Sequence, residues 1–252
     1  MLSNSRVVLF ALAISVAVAG CARDARVAQL ERRVDSLAVT LTALVNARRG
    51  GDAPSLAESL TVSLSGAAAA GDPHAQVVIV EFTDYQCPFC SRHFETTLPE
   101  IRTRYLSTGK VRYIVRDFPL SDIHPNALGA AKAARCAAAQ DTTRYWQFHD
   151  ALFKSQKRIS PELFPKLARL AGLNLPQFQV CVASPQTAGL IERDATEARR
   201  AGLAGTPAFI IGRATGDSVH GVLIRGAYPF ALFQQAIEGA LTAPPANGIA
   251  VR

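Results

Sequence analysis

The chain has 252 residues, 49% of them hydrophobic, and a formal charge of +7 carried mostly by arginine. That length suffices for one domain with a substantial core, or a small domain with an insertion. The basic residues form no cluster interleaved with aromatics, so nucleic acid is not implied, and the excess suits an anionic membrane or acidic unfolded clients.

Residues 1–6 carry one positive side chain, and 7–19 are apolar except for Ser15. A bilayer-spanning helix needs about 20 apolar residues, so 1–20 fits a signal peptide instead. The run ends VAGC at Cys21. This ending resembles the bacterial lipoprotein cleavage box, whose cysteine becomes the lipidated N-terminus. An ordinary signal peptide or anchor with an incidental cysteine is the alternative. Lipoproteins of this type are multiply acylated, which gives stable anchoring. Ala22 resembles the pattern of outer-membrane lipoproteins. The expected location is the periplasmic side of a bacterial membrane, outer rather than inner, where disulfides persist.

Across 21–49, Val27, Leu30, Val34, Leu37, Leu41 and Leu44 follow gaps of three and four, the a/d spacing of a heptad seam. About three heptads are marginal for an isolated coiled coil. The segment reads either as a stalk that makes a homo-oligomer through 27–44, or as one amphipathic helix on lipid or on its own domain. A linker is expected over 50–59, opening with the flexible GGDAP of 50–54.

A strand is predicted over 61–64, a turn at 71–73, and a β-branched strand over 76–83. The last of these leads into Cys87-Pro88-Phe89-Cys90. The first turn of a helix offers unpaired N–H groups and the positive end of its dipole. A thiolate on Cys87 would be stabilised there and its pKa lowered. Pro88 suits the first helical position, where its missing N–H costs nothing. Cys90, one turn on, is placed to attack a mixed disulfide on Cys87. The same spacing is half of a zinc site. Zinc needs about four ligands, and no second pair follows; His93 would be a third donor, or else a partly exposed histidine on the helix surface.

Beyond the motif, a helix is predicted over 91–107, disturbed at Pro99, and a strand over 110–117. A helical block over 126–200 is broken at Asp141, Ser160-Pro161, 172–176 and Ser184-Pro185. Strands over 205–211 and 219–225 and a helix over 228–241, with Pro229 in its first turn, complete the domain. Residues 242–252 read as a disordered tail. Strands interrupted by a block of helices suggest an α/β sheet domain with a helical insertion. Two cysteines remain in helical sequence, Cys136 and Cys181. They are either a structural disulfide, closing about 46 residues and worth on the order of 4 kcal/mol, or two separate buried thiols. Trp146 and its aromatic neighbours read as helical core.

Several stretches together resemble the DsbA-like family over about 60–241. They are EFTDYQCPFC, the FPL of 118–120, the run from His124 through Cys136 and Gln140 to Trp146 and His149, Leu152-Phe153, and Gly205-Thr206-Pro207. The resemblance implies a thioredoxin fold with a helical insertion at about 122–201, preceded by the amphipathic or coiled-coil helix. It supports pairing Cys136 with Cys181. It also implies a cis Thr206–Pro207 bond facing the cysteines, with the Thr206 backbone offered to an extended substrate. Glu81 matches a buried acid of raised pKa that exchanges a proton with Cys90 directly or through water; a strand-end glutamate facing solvent is the alternative. Phe89 stands where the most oxidising members have histidine, so the thiolate should be stabilised less. His124 is expected near the site in a hydrogen-bonding role.

The expected function is that of an exported, lipid-anchored thiol:disulfide oxidoreductase. It would need no cofactor and no metal beyond the Cys87–Cys90 disulfide. Its partners would be unfolded or disulfide-bearing exported proteins and a membrane redox partner. A copper-handling or client-binding thiol chaperone is the alternative.

Overall fold

A computed structural model describes residues 56–64 and 68–243 of the chain. The signal peptide, Cys21, the 21–49 segment with its proposed oligomerising seam, the GGDAP break and nearly all of the expected tail lie outside the described residues.

Six strands form one sheet in the order β1-β6-β5-β3-β4-β2. They are β1 (Ser59–Ser63), β2 (Ala68–Gly71), β3 (Val77–Thr83), β4 (Val111–Asp117), β5 (Ala208–Thr215) and β6 (Ser218–Arg225). Only β3 and β4 pair in parallel. The helices are α1 (Pro88–Thr96), α2 (Leu98–Ile101), α3 (Ala127–Ala138), α4 (Thr142–Lys154), α5 (Phe164–Leu170), α6 (Leu175–Ala183), α7 (Pro185–Arg200) and α8 (Phe230–Thr242). A π-helical turn, Arg102–Leu106, ends the α1–α2 run. The expected single helix is thus interrupted at Thr97, just before Pro99, whose ring and missing N–H are incompatible with an unbroken interior.

Strand β3 is buried along its whole length. Side chains alternate across a strand, so Val77 and Ile79 join the cluster beneath α1 and α8, and Val78, Val80 and Phe82 join the one beneath α7. Glu81 and Thr83 continue the first series, toward α1. The helical block α3–α7 sits between β4 and β5 in the chain. Asp141, Asn174 and Ser184 each cap one of its helices by accepting a backbone N–H.

Several boundaries differ from expectation; β5, for one, spans Ala208–Thr215 rather than 205–211. Strand β2 replaces what reads as a loop before the 71–73 turn: an alanine run becomes strand by pairing with β4. Gly71 permits this with φ +88°, and a Cβ there would lie 2.4 Å from the Val111 carbonyl. Strand β1 starts at Ser59, inside the expected linker. Helix α8 starts after Pro229, which caps it rather than joining its first turn, and ends at Thr242.

A buried ionic cluster fastens the insertion to the sheet. Arg116 of β4 donates Nε to Asp194 of α7 at 2.8 Å, and also reaches Glu197 at 2.8 Å and the Ser63 carbonyl at 2.6 Å. Arg135 of α3 bonds Asp117 at 2.5 Å and shares Asp194. Arg116 is 3% exposed. Deleting one partner of such a cluster leaves charge buried without compensation. Asp194→Ala is therefore expected to cost about 3–5 kcal/mol, read as a lowered midpoint in urea unfolding.

Candidate active site

Strand β3 runs into a short loop, and α1 starts immediately after Cys87. Pro88 occupies the first helical position and Cys87 the cap, in extended backbone. The Cys87 sulfur lies beside the Thr206 carbonyl, and the backbone N–H groups of Phe89 and Cys90 act on it. Cys87 and Cys90 are both free thiols, 3% and 0% exposed. Phe89 between them is 50% exposed, with the Arg92 guanidinium 5.2 Å from its ring centre.

The two sulfurs are driven apart in acidity. Cys87 is lowered to about 6, first by a hydrogen bond from the Cys90 thiol, against the opposing effect of burial. Thr206 and the backbone N–H groups of Cys90 and Phe89 add to the lowering. As a thiol, Cys87 donates to the Thr206 carbonyl at 3.2 Å. A thiolate has no proton to give. The Thr206 hydroxyl, buried and otherwise without a partner, is then free to donate to it. The Thr206–Pro207 bond is cis. Cys90 is pushed well above the ordinary cysteine value by burial, then by the adjacent Cys87 and by the Glu81 charge. Helix-start N–H groups therefore act on Cys87 as expected, but the neighbouring thiol is the larger influence.

Glu81 is 2% exposed, not turned to solvent. Burial raises it to about 7, against a 2.6 Å hydrogen bond donated by the Tyr113 hydroxyl. Because Tyr113 donates to Glu81, its oxygen accepts from His93 Nε2 at 3.0 Å. That assignment leaves His93 Nδ1 as the unprotonated nitrogen, buried without a partner. His93 is 1% exposed and lies against Phe209 and Phe233, with burial lowering it to about 3. The expectation of a partly exposed histidine is wrong: its face of α1 turns into the aromatic core. Nor does His93 join Cys87 and Cys90 in a three-donor metal cluster among the described residues.

The loop before α1 is tied to the helical insertion. Asp84 accepts from the Gln86 N–H at 2.7 Å and the Leu120 N–H at 2.8 Å, and pairs with His124 Nδ1 at 2.8 Å. The Gln86 side chain accepts from the Asn126 N–H at 2.6 Å. Gln156 Nε2 donates to the carbonyls of Tyr85 at 3.0 Å and Cys87 at 2.9 Å. Away from this site, Cys136 of α3 and Cys181 of α6 are joined by a disulfide, Cα atoms 5.7 Å apart. Trp146 donates to the Ala69 carbonyl and packs against the core. Sequence reasoning did not single out Tyr113, Asp84 or Gln156. Each sits in an ordinary strand, loop or helical turn and gains its position from the fold alone.

A model of the thioredoxin family matches residues 64–220. The α-DsbA1 crystal structure from Wolbachia pipientis superposes with TM-score 0.63 at 26% identity, over 71% of this chain and 92% of that one. Oxidised BdbD from Bacillus subtilis, at 21% identity, gives TM-score 0.64 over 74% of this chain and 100% of that one, a likeness of fold. In sequence, a Rickettsia prowazekii protein named as a protein-disulfide oxidoreductase is 29% identical over 147 residues, 56% of this chain and 52% of its own length. The Na(+)/H(+) antiporter NhaA 3 of Salinispora tropica is 34% identical over 141 residues, 56% of this chain but 21% of the antiporter. The chain thus spans about a fifth to a half of these curated relatives. No helix among the described residues is long and apolar enough to cross a membrane.

Burial of Glu81 makes a pH prediction. Its folded value of about 7 exceeds its ordinary 4.5, so between these values the native state holds more protons than the unfolded chain. Stability from this group therefore falls as pH rises from about 4.5 to about 7, and is level above. Glu81→Gln keeps an acceptor for Tyr113 and removes the titration. Unfolding of the oxidised protein across pH is expected to show that fall in wild type only, with the variant more stable at pH 8 by about 3 kcal/mol.

Proposed function

Because the chain belongs to the thioredoxin family, and within it to the DsbA-like proteins, we propose that it is an exported, lipid-anchored thiol:disulfide oxidoreductase working on protein substrates through Cys87 and Cys90. The observation that carries this reading is a pair of free thiols at the start of α1, Cys87 at the cap beside Thr206 and Cys90 one turn in and fully buried, which sets their acidities apart. A thiolate with ordinary cysteine acidity would be scarce at neutral pH, whereas Cys87 is mostly ionised there.

In the oxidising direction a substrate thiolate attacks the Cys87 sulfur of the Cys87–Cys90 disulfide. The S–S electron pair leaves with Cys90, and Cys87 carries a mixed disulfide. A second substrate thiolate then attacks the substrate sulfur and releases Cys87 as thiolate, with the substrate oxidised and both enzyme cysteines reduced. In the reducing direction the Cys87 thiolate attacks a substrate disulfide, and Cys90 displaces the captured chain. The redox-active pair is the only cofactor this cycle needs, and a membrane redox partner restores it. The exposed Phe89 ring, the cis Thr206–Pro207 loop and the Thr206 backbone form the face offered to an extended substrate chain. The Cys136–Cys181 bond fits an oxidising compartment. The VAGC ending at Cys21 supports lipidation on the periplasmic side, at the outer membrane, and the 27–44 seam supports a homo-oligomer.

The groups that lower the Cys87 thiol are Cys90, Thr206 and the Phe89 backbone. The acidity of that thiol rests on hydrogen bonds, so the pair should be less oxidising than the strongest members. Equilibration with glutathione is expected to give a potential inside the roughly −120 to −270 mV span, not at its oxidising end. Cys90→Ser should accumulate a covalent adduct with a scrambled, disulfide-bearing client on non-reducing gels, and Cys87→Ser should form none. For the anchor, Cys21→Ser in the full-length precursor is expected to move the protein from the detergent phase to the soluble fraction, read by Triton X-114 partition.

A further inference from the structure

Cys90 must lose a proton to attack and regain one when it leaves, yet it is fully buried, as is the Glu81 carboxyl. The Glu81 charge acts on Cys90, but no hydrogen bond joins the two among the described residues. Thr83 stands two residues beyond Glu81 on β3 and therefore on the same face of the strand. Ile79 of that face shares a core cluster with Cys87 and Cys90. The Thr83 hydroxyl is buried with no hydrogen-bond partner, a state that native interiors avoid without a reason. It favours the ionised form of both Glu81 and Cys90. One rotatable hydroxyl thus serves two acids that do not reach each other.

We propose that the Thr83 hydroxyl carries the proton between Cys90 and Glu81. The role deepens the oxidoreductase reading and rests on it. When Cys90 leaves the disulfide as a thiolate, it takes the Thr83 hydroxyl proton while Thr83 takes the proton of the Glu81 carboxylic acid. The products are a Cys90 thiol, an unchanged Thr83 hydroxyl and a Glu81 carboxylate. Run backward, Cys90 gives up its proton by the same route, attacks the Cys87 sulfur of the mixed disulfide, and expels the substrate sulfur with its electron pair. Tyr113 already holds Glu81 Oε2, which leaves Oε1 for the relay. The other groups facing Glu81 are Cys87 and Cys90 of α1 and Arg102 of the π turn, while Tyr85 and Tyr145 feel its charge. The tyrosines are raised far out of range, His93 behind Tyr113 is neutral, and in the mixed disulfide Cys87 does not titrate. Asp117, the register partner of Thr83 on β4, is raised to about 6 but is paired with Arg135, so of the groups acting on Glu81 none but Glu81 itself is left to ionise near 7.

The test mixes the reduced full-length protein with oxidised glutathione, quenches with acid, and follows intact mass. Formation of the glutathione adduct reports Cys87, and its loss reports Cys90. In wild type, adduct loss should accelerate with pH through an inflection near 7, where Glu81 becomes the carboxylate. Thr83→Val should form the adduct at the wild-type rate, lose it on the order of a hundredfold more slowly, and show no inflection. Thr83→Ser should restore both rate and inflection. Glu81→Gln should match Thr83→Val, with the double variant no slower than either. Should Thr83→Val fail to fold, Thr83→Ala is read by the same two rates. Adduct loss at the wild-type rate with the inflection intact, in either variant, overturns the relay and leaves the oxidoreductase standing. Failure of the wild type to form any adduct overturns the oxidoreductase reading itself.

Discussion

Depth beneath one helix start is the constraint on which the site depends. Cys87 sits at the cap of α1, where polar hydrogens converge and the sulfur can be anionic. Cys90 is one turn in and Glu81 lies on the strand behind it, both cut off from water. Desolvation penalises charge, and the hydrogen bonds at the cap outweigh that penalty at Cys87, so the three acids separate. The outermost ionises below neutrality, the carboxyl near it and the inner thiol well above. A single surface thiol pair would have no such order. The hydrogen bonds at the cap make one sulfur a nucleophile, and burial keeps the other protonated until it is needed.

That depth is held constant by a frame reaching well beyond the sheet. The segment between β3 and α1 would otherwise be an ordinary surface loop. Asp84, Gln86 and the Cys87 carbonyl are each bonded to groups of the 120–156 region. The insertion is itself fixed to β4 through Arg116, Arg135 and Asp194. Buried ion pairs contribute little net stability, because desolvation offsets attraction, but they define which groups must meet. Here they hold α7 and α3 against the strand adjoining β3, so the insertion cannot shift without moving the loop that carries the nucleophile.

The parts that could be read from the sequence are those governed by local chemistry. Proline, glycine and capping side chains act on the adjacent backbone, so the breaks at Asp141, Ser160-Pro161, Gly172 and Ser184-Pro185 fall at the four junctions that separate α3, α4, α5, α6 and α7. The Cys-Pro-Phe-Cys start of α1 is local in the same sense. Strand β2 is not: alanine has poor strand propensity, and pairing with β4 alone makes it a strand. Glu81 could be placed through the resemblance but not through its own pattern, because β3 is buried on both faces. A strand covered on both sides reads as a continuous apolar run, and alternation then carries no information about which way one polar residue points. His93 and Tyr113 are 20 residues apart and meet only because α1 folds over β4.

The company Glu81 keeps explains why its acidity comes to rest near neutrality. Its hydrogen bond comes from Tyr113, a neutral hydroxyl that stays protonated because burial raises it. The nearest cation, Arg102, is engaged with both Asp150 oxygens at 2.7 and 2.8 Å. Its field at Glu81 is therefore largely cancelled, and it ranks below burial and the hydroxyls of Tyr113 and Thr83 among the influences on the carboxyl. A lysine or an unpaired arginine in place of Tyr113 would lock Glu81 as a carboxylate across the working range, since an opposite charge at contact favours ionisation by more than a neutral donor does. A purely apolar neighbour would keep it protonated. The neutral donor leaves the carboxyl between those limits, able both to give and to take the proton that Cys90 must exchange in each half of the cycle.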